Sequence, residues 1–240
     1  MEIIWIGVLT LLSSIIGTVS GFGISTIMVP VILIFLPLPE TLLLVGLIHW
    51  FGDIWKMLLF KHGFDKKLLI YFGVPGVLMA ILGGLIVVDI PEKLASQLVG
   101  LILTSYVIFA ALKPKFKLKE KPSTAILGGM SSGFLGGVTG VGGGALRAAI
   151  LTAFNIPKST YIFTSGILGA LMDAGRISAY IFSGVKIQSS HLWGFLLFIP
   201  ASFLGAEIAK KMVYKISQKT FKKIIGIFLL LLGLKLLVFP

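Results

Sequence analysis

Apolar runs follow one another along almost the whole chain, separated only by short stretches that carry lysine or glycine. That succession restricts the fold, because in hydrocarbon every backbone N–H and C=O must be satisfied within the chain, and helices do this locally. There are about ten runs, with approximate limits 3–16, 24–36, 41–60, 68–88, 94–112, 124–138, 144–154, 160–182, 192–208 and 221–239. Only 12% of the 240 residues are charged and 57% are hydrophobic, with a mean hydropathy of +1.05. No core surrounded by water absorbs that much apolar surface. The expected class is an all-α polytopic membrane protein, multi-pass in the plasma membrane of a prokaryotic cell. A formal charge of +12 would suggest a nucleic-acid partner for a soluble domain. Here the lysines stand in short runs between apolar segments and read as topology signals, so no nucleic acid is expected. The chain has no cysteine, which excludes disulfides, thiolate metal sites and cysteine nucleophiles. The run from Ile3 lacks the basic region and small-residue cleavage site of a signal peptide, and is expected to be a helix of the fold.

The first, second, sixth and seventh runs are short. They hold roughly 11 to 15 residues, and at about 1.5 Å per residue they cover only part of a ~30 Å hydrocarbon core. Each short pair is joined by glycines, Gly17, Gly21 and Gly23 in the first and Gly136 to Gly144 in the second. Two re-entrant or broken helix hairpins with tips near the midplane are therefore expected. GTVSGFGIS (17–25) lies over GGVTGVGGG (136–144) at an offset of 119, with Ser20 opposite Thr139. With one residue of slippage, Asp53 and Lys56 fall on Asp173 and Arg176. The reading is a first repeat at 1–112, a basic linker at 113–121 and a second repeat at 122–240. Parity of crossings makes the second repeat inverted. It also puts the loops at 61–67, 113–121 and 209–223, with three, five and six lysines, on one face. The positive-inside rule makes that face cytoplasmic, with both termini outside. Single cysteines at Phe116 and Ser189 are expected to label from opposite sides.

Inverted repeats with interrupted helices are the pattern of secondary transporters that bind substrate at the midplane. A helix that starts there points unpaired N–H groups and about half a positive charge at whatever precedes its first turn. The candidate anion contacts are Gly21, Gly23, Ser25 and Thr26 at the first tip, with Thr139, Gly140, Gly142, Gly143, Gly144 and Arg147 at the second. The competing reading is that the glycines serve close helix packing. Arginine at the centre of a membrane helix costs about 2.5–3.5 kcal/mol and needs a partner, either substrate or one of Asp53 and Asp173. Asp53 with Lys56 and Asp173 with Arg176 can neutralise each other at i,i+3. Together with His49, one turn before Asp53, they are alternatively gating or coupling groups for a proton or sodium ion. No cofactor is expected. There is no His/Cys/Met cluster for a metal, no Gly-x-Ser-Gly nucleophile and no Gly-x-Gly-Asp, so neither a metal carrier nor an intramembrane protease is favoured. A non-transporting membrane subunit, or a carrier or channel for another small anion, remains the alternative. Oligomeric state is not legible.

The stretches Gly140-x-Gly-Gly-Gly144, Gly21-Phe-Gly-Ile-Ser25 with Pro30, HWFGDIWK (49–56) and FTSG…D..R..AYIFSG (163–184) resemble the sulfite exporter TauE/SafE family over essentially the whole chain. The family pattern is Gly-x-Gly-Gly-Gly with proline four residues later. Ile24 and Ser25 replace two glycines in the first copy, and Ala149 stands where the second would have proline. The resemblance implies transport of small sulfur oxyanions or organosulfonates such as sulfite, thiosulfate, sulfoacetate or taurine-derived products.

Overall fold

The computed structural model describes residues 2–20, 23–60, 65–87, 89–113, 119, 121–154, 158–212, 227, 230–231 and 233–238. Helices account for nearly all of them. They are α1 (Glu2–Ser20), α2 (Ser25–Ile32), α3 (Leu38–Leu59), α4 (Lys66–Val87), α5 (Glu92–Leu112), α6 (Pro122–Thr139), α7 (Gly142–Ala153), α8 (Lys158–Phe182) and α9 (Ser189–Met212). A last helical stretch, α10, is described at 233–238. Leu78, Leu127, Leu196 and Leu204 are exposed, so the outer surface is apolar. Such a surface suits lipid rather than water. On length and composition alone α1, α3, α4 and α9 qualify as membrane spans.

The first arm of each glycine hairpin is longer than its apolar run suggests. α1 has 19 residues and α6 has 18, so each reaches about 27–28 Å at 1.5 Å per residue, close to a full crossing. Only the second arms are short, with 8 residues in α2 and 12 in α7. Helix continues through Gly17 and through Gly136–Gly137 because backbone from elsewhere fills the space a side chain would take. A Cβ on Gly17 would lie 2.8 Å from Ile24 N, and one on Gly137 would lie 2.9 Å from Gly84 N. Tertiary contact here overrides the poor helix propensity of glycine.

Close helix approaches set the packing. Gly129, Gly133 and Gly137 of α6 meet Phe72, Gly76 and Ala80 of α4 in the same order, so these two helices run parallel. Gly7 and Ser14 of α1 meet Leu197 and Gly205 of α9, again parallel. Helices α3 and α8 run antiparallel, with Gly46 against Ile177 and Asp53 against Gly166. Helices α5 and α10 are also antiparallel, with Gly100 near Leu237 and Thr104 near Gly233. In α4 the ladder widens to a π turn at Leu69–Gly73, ending two residues before Pro75, which has no N–H to donate and whose ring crowds the preceding turn. Gly129→Val should cost about 1–3 kcal/mol by overpacking, because its Cβ already meets the Phe72 carbonyl. Thermal unfolding in detergent checks this, and an unchanged midpoint would mean that α4 and α6 do not touch there.

Candidate functional site

The antiparallel crossing of α3 and α8 gathers the charged side chains that the sequence spreads over two halves. Lys56 Nζ lies 2.7 Å from Asp53 Oδ1, and Arg176 Nε lies 2.7 Å from Asp173 Oδ1, so both i,i+3 pairs form. His49 stands between them. Its Nδ1 is 2.9 Å from Asp173 Oδ2 and its Nε2 is 3.7 Å from Asp53 Oδ1. Arg147, reaching in from α7, has Nη2 3.6 Å from Asp53 Oδ2 and donates from Nε to Ser165 Oγ at 3.3 Å. All six charged or titratable groups are buried. Lys56, Arg147 and Arg176 face only Asp53 and Asp173 within this cluster. Among the described residues the cluster thus sets three cations against two carboxylates.

The cluster borders a cavity between the glycine turns. Of the expected anion contacts, Ser25, Gly140, Gly143, Gly144 and Arg147 line it, and His49, Asp173 and Arg176 line it with them. Its volume is about 10 Å³, room for roughly one water. This conformation therefore has no room there for anything much larger than a water. Gly140 ends α6 in the left-handed region at φ 67°, where glycine avoids the cost of a Cβ. Gly23, at φ 85°, abuts the His49 imidazole, leaving no room for a Cβ.

Other expected contacts serve the turns. Thr139 donates to Leu135 O at 2.7 Å and accepts from Val141 N at 3.3 Å. Thr26 Oγ1 donates to Val141 O at 3.4 Å, tying the start of α2 to the second turn. Gly142 begins α7. Asp53 and Lys56 stand behind the cavity wall rather than on it. Gly21 and Phe116 lie outside the described residues, as does most of the run at 221–239.

Several contributors were not among the expected site residues. Ser132 lines the cavity and donates to Gly143 O at 2.7 Å, clamping α6 to the start of α7. Met172 adds a flexible apolar wall. Gly169 lacks the Cβ that would sit 2.7 Å from Arg147 Nη2 and collide with Asp53 Oδ2. A helical spacing argument could have found Met172 and Gly169, which precede Asp173 and Arg176 on the same helix; Ser165 was visible in the FTSG stretch. One ligand atom from each of His49, Asp53 and Asp173 lies within 4.8 Å of the others. Their carboxylates are already paired with Lys56, Arg147 and Arg176, an arrangement that repels a metal cation.

A helical multi-pass bundle with a charge-lined cavity is an arrangement that a membrane transporter requires. The chain is a member of the sulfite exporter TauE/SafE family, whose model matches residues 6–236. That family comprises transporters, not enzymes. No curated protein sequence matches the chain.

Proposed function

We propose that the protein is a secondary transporter that moves a small sulfur oxyanion or organosulfonate across the plasma membrane by alternating access. The observation that carries this reading is the surplus of three buried cations over two buried carboxylates, among the described residues, beside the cavity. Lys56 and Arg147 share the single carboxylate of Asp53; a surplus cation held away from water is costly, and a small anion in the cavity would balance it. The volume of about 10 Å³ holds no sulfur oxyanion, so binding requires a more open state, as alternating access supposes. Ser25 near the start of α2 and Gly143 near the start of α7 border the cavity, and helix starts favour negative charge. His49, shared between carboxylates of the two halves, suits a coupling proton.

Helix pairing supports the inverted repeat. At an offset near 120 residues, α1 corresponds to α6 and α4 to α9, so the α1–α9 and α4–α6 contacts exchange with each other. The antiparallel pairs α3–α8 and α5–α10 exchange with themselves. Single cysteines at Lys119 and Ser189, both exposed, are expected to label from opposite sides of the membrane. Labelling of both from one side would sink the inverted topology.

Flux into proteoliposomes tests the function. Labelled sulfite, thiosulfate, sulfoacetate and sulfate should be compared under imposed anion and proton gradients. Uptake of at least one above protein-free vesicles is expected. No flux of any under any gradient overturns the transporter reading and favours a non-transporting subunit.

A further inference from the structure

Two buried arginines border the cavity, and their bonding differs. Arg147 is engaged on both sides of its guanidinium, with Nε on Ser165 and Nη2 beside Asp53. Arg176 makes its ion pair through Nε, on Asp173 at 2.7 Å. Its Nη1 and Nη2 are buried and make no hydrogen bond to any described residue. The Tyr180 hydroxyl interacts with the guanidinium; it donates its proton to Gly137 O, so its oxygen is free to accept from one guanidinium N–H, which still leaves the other donors unmatched. Arg176 is 2% exposed, so water does not freely solvate these donors.

Its surroundings keep that end of the side chain open. A Cβ on Gly140 would lie 3.4 Å from Nη1, and one on Gly46 would lie 3.6 Å from Nη2. The guanidinium edge thus sits between two glycines, one in α3 and one at the α6–α7 turn. Ser25 and Gly143 border the same cavity, near the starts of α2 and α7.

Resting on the anion-transport reading, we propose that Arg176 is the residue that anchors the transported anion, through Nη1 and Nη2, while Asp173 holds Nε and Arg147 stays with Asp53. A planar fork of two N–H donors matches two oxygens on one central atom, as in sulfite, a sulfonate or thiosulfate. A spherical halide cannot occupy both donors with the same geometry. Arg176 is therefore a specificity residue for oxyanions, and Arg147 contributes positive field from the other side.

The test is binding of sodium thiosulfate and sodium methanesulfonate to the detergent-purified full chain, with sodium chloride as the competing halide. Arg176→Lys keeps the charge and loses the fork, and is expected to weaken oxyanion binding by about tenfold or more. It should also narrow the preference for oxyanion over chloride. Arg147→Lys is expected to cost less and to leave that preference in place. The reverse ranking, or chloride binding as tightly as thiosulfate in the unmodified chain, overturns the assignment. If Arg176→Lys does not fold, Asp173→Asn with Arg176→Gln removes the ion pair without leaving either charge unpaired, and must show the same loss. Retained oxyanion binding in that variant also overturns it. Absence of any anion binding in the unmodified protein, together with absence of flux, overturns the transport reading as well. Binding that survives at Arg176→Lys counts against the Arg176 assignment alone.

Discussion

Asp53→Ala is expected to remove about 3–5 kcal/mol of stability, the range seen when one partner of a buried ion pair is deleted. Asp53 has no exposed surface and faces two cations, Lys56 at 2.7 Å and Arg147 at 3.6 Å. Truncation leaves both without a carboxylate inside the bundle. Asp53→Asn should cost less, because the amide oxygen still accepts from Lys56. A second change tests the cause. Combining Asp53→Ala with Lys56→Met removes one of the two stranded cations, and should recover part of the loss through a favourable coupling between the sites. Unfolding of the detergent-purified protein gives all of these values. A loss no larger than a surface substitution, within about 0.5 kcal/mol, would mean that water reaches Asp53 and that the cluster is not enclosed. The charge argument for an anion would then fall with it.

Local chemistry is what the sequence makes legible. Helix identity follows from hydrophobicity, a property of each run by itself, and the Asp53–Lys56 and Asp173–Arg176 pairs follow from spacing on one helix. Repetition of the glycine turn was visible for the same reason. Properties that depend on what arrives from elsewhere were not. The extension of α1 through Gly17 depends on the chain folding back to bring Ile24 against it, and that of α6 through Gly137 on contact with Gly84, which no window over Gly137 contains. His49 was visible as one turn before Asp53, but its contact with Asp173 is created by the crossing of α3 and α8. For Arg147 the sequence left substrate, Asp53 and Asp173 open as partners. Asp53 pairs with it because Gly169 leaves the gap in which they meet. Arg176 read as a base neutralised by its neighbour; that the bond to Asp173 runs through Nε, leaving the Nη edge turned elsewhere, is a matter of side-chain geometry.

Gly140→Val is the other large effect expected, about 3 kcal/mol or more from strain and overpacking together. The left-handed backbone at φ 67° disfavours any β-branched residue. The added Cβ would also lie 2.6 Å from Leu42 Cδ2 and 3.1 Å from Val29 Cγ2, both buried. Gly184 separates the two contributions. It has a similar conformation, φ 83°, but open space around its Cβ position. Gly184→Ala should therefore show backbone strain alone, about 1–2 kcal/mol, and Gly140→Ala should exceed it by the cost of displacing Leu42. Equal losses at the two positions would show that the α6–α7 turn is loosely packed and that glycine is needed there for its conformation only. Function discriminates further, since the same Cβ approaches Arg176 Nη1 at 3.4 Å. Among variants that still fold, Gly140→Ala should depress anion flux and Gly184→Ala should not. Flux equal to that of the unmodified chain at Gly140→Ala would detach the glycine turn from the transport site, leaving helix packing as its whole purpose.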